Sequence, residues 1–318
     1  MKNKLILAFK IITSALVAIL VARLINLEFA VSTGVIAILT IQPTKRETIK
    51  TAIGRFVSFM LALSVATVFF FLLGVNWSAF FAFLIVYVLL CCILNLSSTI
   101  APCTVLVAHF LTVGDLSVAS LLNEVLIYVV GAGVGILANI HLKKDKIYMK
   151  ELNNATDEQI KKILMRMSER VINGDISDYN GQCFDELDER IFEARELAVR
   201  NYKNQFDKSD VYDMEYIDMR ERQRQLLYEM YKCVRKLSDS PVTARKISDY
   251  LRNMAEVFEE NNDCVKLLEE FYEMDAYMKA QTLPATRDEF ENRARLYTLM
   301  DDIENFIKIK RLFYEKHH

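Results

Sequence analysis

Apolar positions fill the first 142 residues in long runs and then give way to a mixed apolar and charged pattern that continues to residue 318. The runs at 56–73, 80–94 and 125–142 approach the roughly 20 residues that a helix needs to cross a hydrocarbon layer about 30 Å thick. A cleavable signal peptide would explain one such run, not several. The stretch 29–41 is also mostly apolar but only 13 residues long, which at 1.5 Å per residue covers about 20 Å. It stops at Gln42-Pro43-Thr44 and a basic cluster before the next apolar run begins. The pattern predicts six membrane segments, at about 4–26, 28–42, 47–74, 77–95, 99–113 and 119–142.

The lengths repeat as long, short, long. Laying 30–70 over 99–139 at an offset of 69 places Thr33 on Pro102, Gly34 on Cys103, Thr40 on His109 and Arg55 on Glu124. Three spans per repeat put the two halves in opposite orientation. That is the inverted repeat of many transporters, in which short or broken helices at matching positions mark the substrate site. Six spans of which two are merely short, or re-entrant, is the other reading. In either case a helix too short to cross must end where protein buries it or where it lines a water-filled cavity.

Residues 143–318 form the second domain, helical throughout. Thr156-Asp-Glu-Gln is expected to start a helix that ends at Asn173-Gly174, Ser240-Pro241 to start another, and Thr286-Arg-Asp-Glu is a capping box. Ile247, Leu251, Met254 and Phe258 mark one apolar face. Phe290, Ala294, Tyr297, Met300, Ile303 and Ile307 mark another. Four to six such helices with short connections predict an antiparallel helical bundle. The charge run "MRERQRQ" at 219–225 is expected to be a solvated face or a contact with a second copy. The Tyr, Phe and Met residues of this half read as core, with a pocket for an aromatic ligand as the less favoured reading. The fold class is therefore all-α, a six-segment transmembrane domain (1–142) followed by a cytoplasmic helical bundle (143–318).

Charge orients this arrangement. Residues 1–142 hold eight Lys and Arg against four acids, a net of +4, whereas 143–318 carry −6, so the overall charge of −2 averages two unlike halves. Lys2 and Lys4, then Lys45, Arg46 and Lys50, then Lys143, Lys144 and Lys146 all fall on one side if the N-terminus is inside. Glu28, Asn76 and Asp115 occupy the opposite loops, with Trp77 as an interfacial anchor. Both termini are expected in the cytoplasm. Arg23, near the outer end of the first segment, must snorkel or pair with a group such as Glu28. The six cysteines lack metal-ligand or CxxC spacing and read as free thiols.

Few polar groups lie within the apolar segments, and these are the candidates for chemistry. Arg55 begins an apolar run at the cytoplasmic side, where its planar fork suits a carboxylate; it also fits a positive-inside anchor. His109, in the second short segment, suits proton coupling or substrate hydrogen bonding, or else buried packing. Glu124 is a coupling or gate carboxylate, or one that faces water. Lys10, Gln42, Thr33 and Thr104 add polar groups, and Pro43 and Pro102 free backbone groups that could line a cavity. Gly131 and Gly135 in "GAGVG" lack the Lys-Ser/Thr of a phosphate loop and form a small-residue packing face. Neither an ATP-binding signature nor a nucleophile–base pair is present, so an enzyme, a bound metal and a cofactor are not expected.

"ILTIQPTKRETIKTAIGRFVSFMLA", preceded by "LVARLINLEF", resembles the aromatic acid exporter family. The likeness extends over the whole chain to its Gram-positive members, which join a six-span domain to a helical C-terminal domain and are related to fusaric-acid resistance proteins and, distantly, to aluminium-activated malate channels. Pro43, Thr44 and Arg55 match the family pattern, and Gly131 and Asn139 fit the second repeat. Ser58, Phe59 and Ala62 replace its small residues, and Glu124 stands where an arginine is common. The resemblance implies an exporter of aromatic or other small organic acids in the lipid bilayer of the cell membrane; the titratable His109 and Glu124 favour proton coupling over simple conduction, and a homodimer would bury the polar short segments. An organic-anion channel, and a non-transporting anchor or sensor acting through its helical domain, are the alternatives. No nucleic-acid partner is expected.

Overall fold

The structure is a computed structural model that describes residues 2–140, 145–173, 181–205, 210–237 and 244–317. Among them the chain forms twelve α-helices, one short 3₁₀ turn and no strand. They fall into two compact units, Met1–Lys143 with Lys203–Phe206, and Lys144–Tyr202 with Asp207–His318.

The first unit contains α1 (Lys2–Leu24), α2 (Ala30–Thr40), α3 (Lys45–Leu73), α4 (Trp77–Ile93), α5 (Ile100–Val113) and α6 (Val118–Ile140). Three helices are long and apolar enough to cross a membrane: Leu7–Leu24 within α1, α3 and α6; α2, α4 and α5 are shorter apolar helices. Large apolar side chains cover the outside, Phe71 being 81% exposed and Ile93 74%. Water would not tolerate such a surface over this many residues, so it is a lipid-facing one and the chain is a membrane protein. Local signals set the ends. Thr44 accepts from the Glu47 N–H to cap α3, and Asn76 accepts from Ala79 to cap α4.

Helix α2 packs on both α1 and α6, and α3 packs on α4, α5 and α6. The α2–α6 approach depends on glycine. A Cβ on Gly131 would come within 2.6 Å of the Thr33 carbonyl oxygen, and one on Gly135 within 2.9 Å of the Thr40 Cβ. Gly133, on the same helix, has open space. Gly131→Val is expected to destabilise this unit by about 1–3 kcal/mol through overpacking. Gly133→Ala should be neutral, and thermal unfolding of the detergent-solubilised protein compares the two.

The second unit contains α7 (Lys146–Asn173), α8 (Gln182–Lys203), α9 (Tyr212–Arg235), α10 (Ala244–Glu256), α11 (Val265–Lys279) and α12 (Arg287–His317). Helix α10 packs on α7, and α12 on α9. Tyr216, Leu227, Leu251, Met254 and Phe306 are among the residues of its core, so the aromatic and Met residues named there pack against one another.

Three sequence expectations change here. Thr156 does not start a helix, because α7 begins ten residues earlier with Asp145 accepting from the Tyr148 N–H. The Thr156 hydroxyl instead donates to Leu152 O four residues back, Asp157 is held by Arg220 and Tyr216, and the Gln159 amide donates to Cys183 O. Polar side chains that imitate a cap are thus spent on contacts within and between helices. On α12 the expected face is buried at Met300, Ile303 and Ile307, but in the first half of the helix Phe290, Ala294 and Tyr297 are exposed and Asn292, Leu296 and Leu299 are buried instead. Both choices have helical spacing in that first half, and the packing of α12, chiefly on α9, selects between them. "MRERQRQ" is not simply a solvated face: Met219, Arg220 and Gln223 are buried, and Arg220 is fully so. The Thr286 cap does form, with its hydroxyl accepting from Glu289 N–H and the Glu289 carboxylate accepting from Ala285 N–H. Gly174, Ser240-Pro241, Lys143 and Lys144 lie outside the described residues.

Lys310 inserts its ammonium among the backbone carbonyls of Glu259, Glu260 and Asn262. Burial, then the Arg220 guanidinium, lowers its pKa from 10.5 to about 8. Between these values the unfolded chain binds more protons than the folded one, so this group makes stability rise with pH from about 8 to 10.5. Its unfavourable contribution is fully present below pH 8. Melting temperatures compared across that window should show a rise in the wild type that Lys310→Met flattens.

Candidate functional site

Helix α2 ends early because of Pro43. The carbonyl of Leu39 would ordinarily accept from the N–H four residues on, and proline has none. The orphaned oxygen is taken instead by side chains. Gln42 Nε2 donates to it at 3.2 Å and Arg55 Nη1 also donates to it. The guanidinium is half-buried, close to the partly negative C-terminal end of α2, where a cation is favoured. Its Nε has no hydrogen-bond partner. Arg55 also lines a cavity of ≈ 10 Å³ with Ile36, Pro102, Cys103 and Tyr128, about enough for one water.

A second polar group meets the same end of α2. Lys10 donates to Asn139 Oδ1, and Asn139 Nδ2 donates to Gln42 O at 2.6 Å and to the Thr48 hydroxyl. Thr48 Oγ1 in turn accepts from Gln42 N–H at 3.1 Å. Asn139, 1% exposed, thereby ties α1, α6 and the break after α2 together.

At the start of α2 the chemistry is titratable. Glu124, the one charged residue of α6, is 2% exposed, and its Oε2 lies 2.9 Å from His109 Nδ1. His109 Nε2 is 3.2 Å from the Ser32 hydroxyl, and the Phe29 ring stacks on the imidazole at 4.0 Å between centroids. Asn123 donates to Glu124 Oε1 at 3.3 Å and also bridges to the backbone of Glu28. A carboxylate buried in apolar surroundings needs a partner or a proton. Here the partner is an imidazole, a side chain that can both give and take a proton. A proton entering or leaving this pair changes its charge in a site with little water.

Ser32 and Leu39 are seven residues apart, so the two clusters sit about 10 Å apart along α2. Among the residues singled out from the sequence, Arg55, Gln42, Pro43, Lys10 and Pro102 gather at one end and His109 and Glu124 at the other. Pro102 stands in the first turn of α5, where helix N–H groups have no intrahelical partner, so it frees nothing extra. Thr33 is fully buried between the clusters, with its hydroxyl on Ala30 O. The Thr104 hydroxyl is buried without a partner and joins neither cluster. Asn139, Thr48 and Asn123 were not among the candidates. An asparagine one residue from the end of a 23-residue, mostly apolar helix was the available signal for Asn139. A separate buried polar group, Ser58 with Tyr87 at 2.9 Å and Thr99 at 2.5 Å, joins α3 to α4 and the 3₁₀ turn Ser97–Thr99.

Residues 6–142 match the family model "Aromatic acid exporter family member 1", and residues 147–311 match "Putative aromatic acid exporter C-terminal domain". The chain is 26% identical over 296 residues to "Uncharacterized protein YqjA" of Bacillus subtilis (strain 168), covering 93% of this chain and 92% of that protein. "Crystal structure of putative membrane protein from Clostridium difficile 630" aligns with 52% of this chain and 99% of its own, at 24% identity and a TM-score of 0.47.

Proposed function

The chain belongs to the aromatic acid exporter family, and from that premise we propose that it exports small organic acids, aromatic carboxylates foremost, along a path beside α2. The family is one of membrane exporters rather than enzymes. The observation that carries the reading is a helix too short to span, with an incompletely bonded arginine at one end and a buried His–Glu pair at the other. Arg55 supplies the fork for a substrate carboxylate. In the structure one nitrogen of that fork is occupied by the Leu39 carbonyl, which a bound carboxylate would displace. Lys10 adds positive charge close by. His109 and Glu124 take up the coupling proton, with Ser32 and Asn123 orienting them.

In this reading residues 1–142 form six segments in an inverted repeat, with both termini cytoplasmic and residues 143–318 forming a cytoplasmic helical domain. A homodimer buries the ends of the short segments. The channel and the anchor or sensor remain distinct outcomes of a flux test. Coupling is tested by Glu124→Gln in proteoliposomes under an imposed pH gradient. The expected variant retains downhill exchange of an aromatic carboxylate but loses gradient-driven accumulation. Accumulation equal to wild type would remove Glu124 from the coupling step.

A further inference from the structure

We propose that the first turn of α2 is a lid on the His109–Glu124 pair, and that the Phe29 ring is the part of it that covers the imidazole and limits proton access. The lid's place in coupling rests on the export reading above, while its geometry stands without it.

Three approaches to the buried His109 side chain are each closed by a named group. Its Nδ1 faces Glu124 Oε2 at 2.9 Å, and its Nε2 faces the Ser32 hydroxyl at 3.2 Å. The Phe29 ring covers one face, with 4.0 Å between centroids and only 7° between the planes. Phe29 and Ser32 move as one, because the Ser32 N–H donates to Phe29 O at 2.8 Å within the same turn. An imidazole gives and takes its proton at nitrogen. Lifting that one turn therefore uncovers Nε2 and a ring face together, while Glu124 stays behind on α6.

The backbone of the lid is strained. Phe29 has φ 53° and ψ 38°, in the left-handed region. The other non-glycine residues with positive φ, among those described, are Asn26, Asn95 and Cys264. Asparagine visits this region readily and a bulky aromatic residue does not. Phe29 is also the N-cap residue of α2 and makes no side-chain cap, where Ser, Thr, Asp or Asn would ordinarily supply one. On both counts an asparagine would suit the backbone better. What phenylalanine adds is the ring on His109.

Strain of this kind persists only where the surroundings over-determine it, and here the constraint is Asn123. It holds the residue before Phe29 by both backbone groups. The Glu28 N–H donates to Asn123 Oδ1 at 3.0 Å, and Asn123 Nδ2 donates to Glu28 O at 3.4 Å. The same Nδ2 lies 3.3 Å from Glu124 Oε1. One side chain thus latches the lid and touches the carboxylate beneath it, which links opening to the state of the pair. Phe29 is accordingly a positioning residue that acts through His109.

The test is diethylpyrocarbonate labelling of the full-length detergent-solubilised protein, with His109 read by mass spectrometry against His317 in the same sample. Phe29→Ala and Phe29→Asn should label His109 about twofold to tenfold faster than wild type, the equivalent of one aromatic stacking pair. Phe29→Tyr keeps a ring and should label at the wild-type rate. Asparagine accepts the left-handed backbone, so Phe29→Asn should melt no lower than Phe29→Ala and reads the ring alone if the alanine variant unfolds. In proteoliposomes without carboxylate, Phe29→Asn should also dissipate an imposed pH gradient faster than wild type. Wild-type labelling in both ring-less variants overturns the lid, as does labelling of Phe29→Tyr as fast as theirs. Faster labelling with an unchanged decay of the gradient overturns its control of proton access. Failure of the export reading shows separately, as absent carboxylate flux with the labelling pattern intact.

Discussion

Arg220→Leu is expected to destabilise the second unit by about 3–5 kcal/mol, the cost of leaving a buried charge without its partner. The guanidinium is fully buried, and Nη2 donates to Asp157 Oδ2 at 2.9 Å and to the Tyr216 hydroxyl at 2.8 Å. Nη1 donates to Gln223 Oε1 at 2.6 Å, and Gln223 Nε2 continues to Phe306 O on α12. The rings of Tyr216 and Phe258 lie 4.8 and 4.6 Å from the guanidinium carbon. One residue therefore ties together α7, α9, α12 and the end of α10, and its loss strands the Asp157 carboxylate in the core. Hydrogen exchange of amides in α7 and α9 reads the effect directly. Replacing Asp157 and Arg220 together by leucine should recover most of the loss, because no charge is then left buried alone. A loss under about 1 kcal/mol in the single variant, the range of an exposed pair, would show the network to be dispensable.

Arg55→Ala is expected to lower carboxylate flux about tenfold to a hundredfold, the equivalent of one or two hydrogen bonds to a charged group. Arg55→Lys should restore only part of it, since an ammonium keeps the charge but not the planar fork. Both variants lose the bond to Leu39 O, so the melting temperature of each must be measured beside its flux. A purely structural role for Arg55 would move stability and flux together, whereas a substrate role raises the half-saturating concentration at unchanged fold.

The helices of the first unit were legible because a membrane segment declares itself by composition, and because Pro43, Gly74, Asn76 and Gly114 punctuate it. The candidate polar residues were legible for a related reason: a His or Glu inside an apolar run stands out. Their partners were not. Lys10 meets Asn139 across 129 positions, and Ser32 meets His109 across 77, distances over which no local pattern carries information. In the second unit the limit was different. Thr156-Asp-Glu-Gln has the composition of a helix start, yet each of those polar groups but Glu158 is used inside the fold. Arg220 sits in a run whose charge density argues for solvent, and only the position of Asp157 on α7 accounts for its burial. On α12 the expected face holds at Met300, Ile303 and Ile307 and fails at Phe290, Ala294 and Tyr297, where equally good spacing left the choice to what packs against the helix.

The central claim, that residues at the two ends of α2 line a coupled path for organic acids, is tested most directly by flux of radiolabelled aromatic carboxylates into proteoliposomes. Wild type, Arg55→Ala and His109→Ala are compared with and without an imposed pH gradient. The account predicts saturable, gradient-driven flux in the wild type that Arg55→Ala lowers about tenfold to a hundredfold and His109→Ala abolishes while the protein remains folded and inserted. Passive, non-saturating flux would replace the exporter by a channel. No flux from folded wild type across the carboxylate panel, or flux unchanged in both variants, would contradict the path along α2.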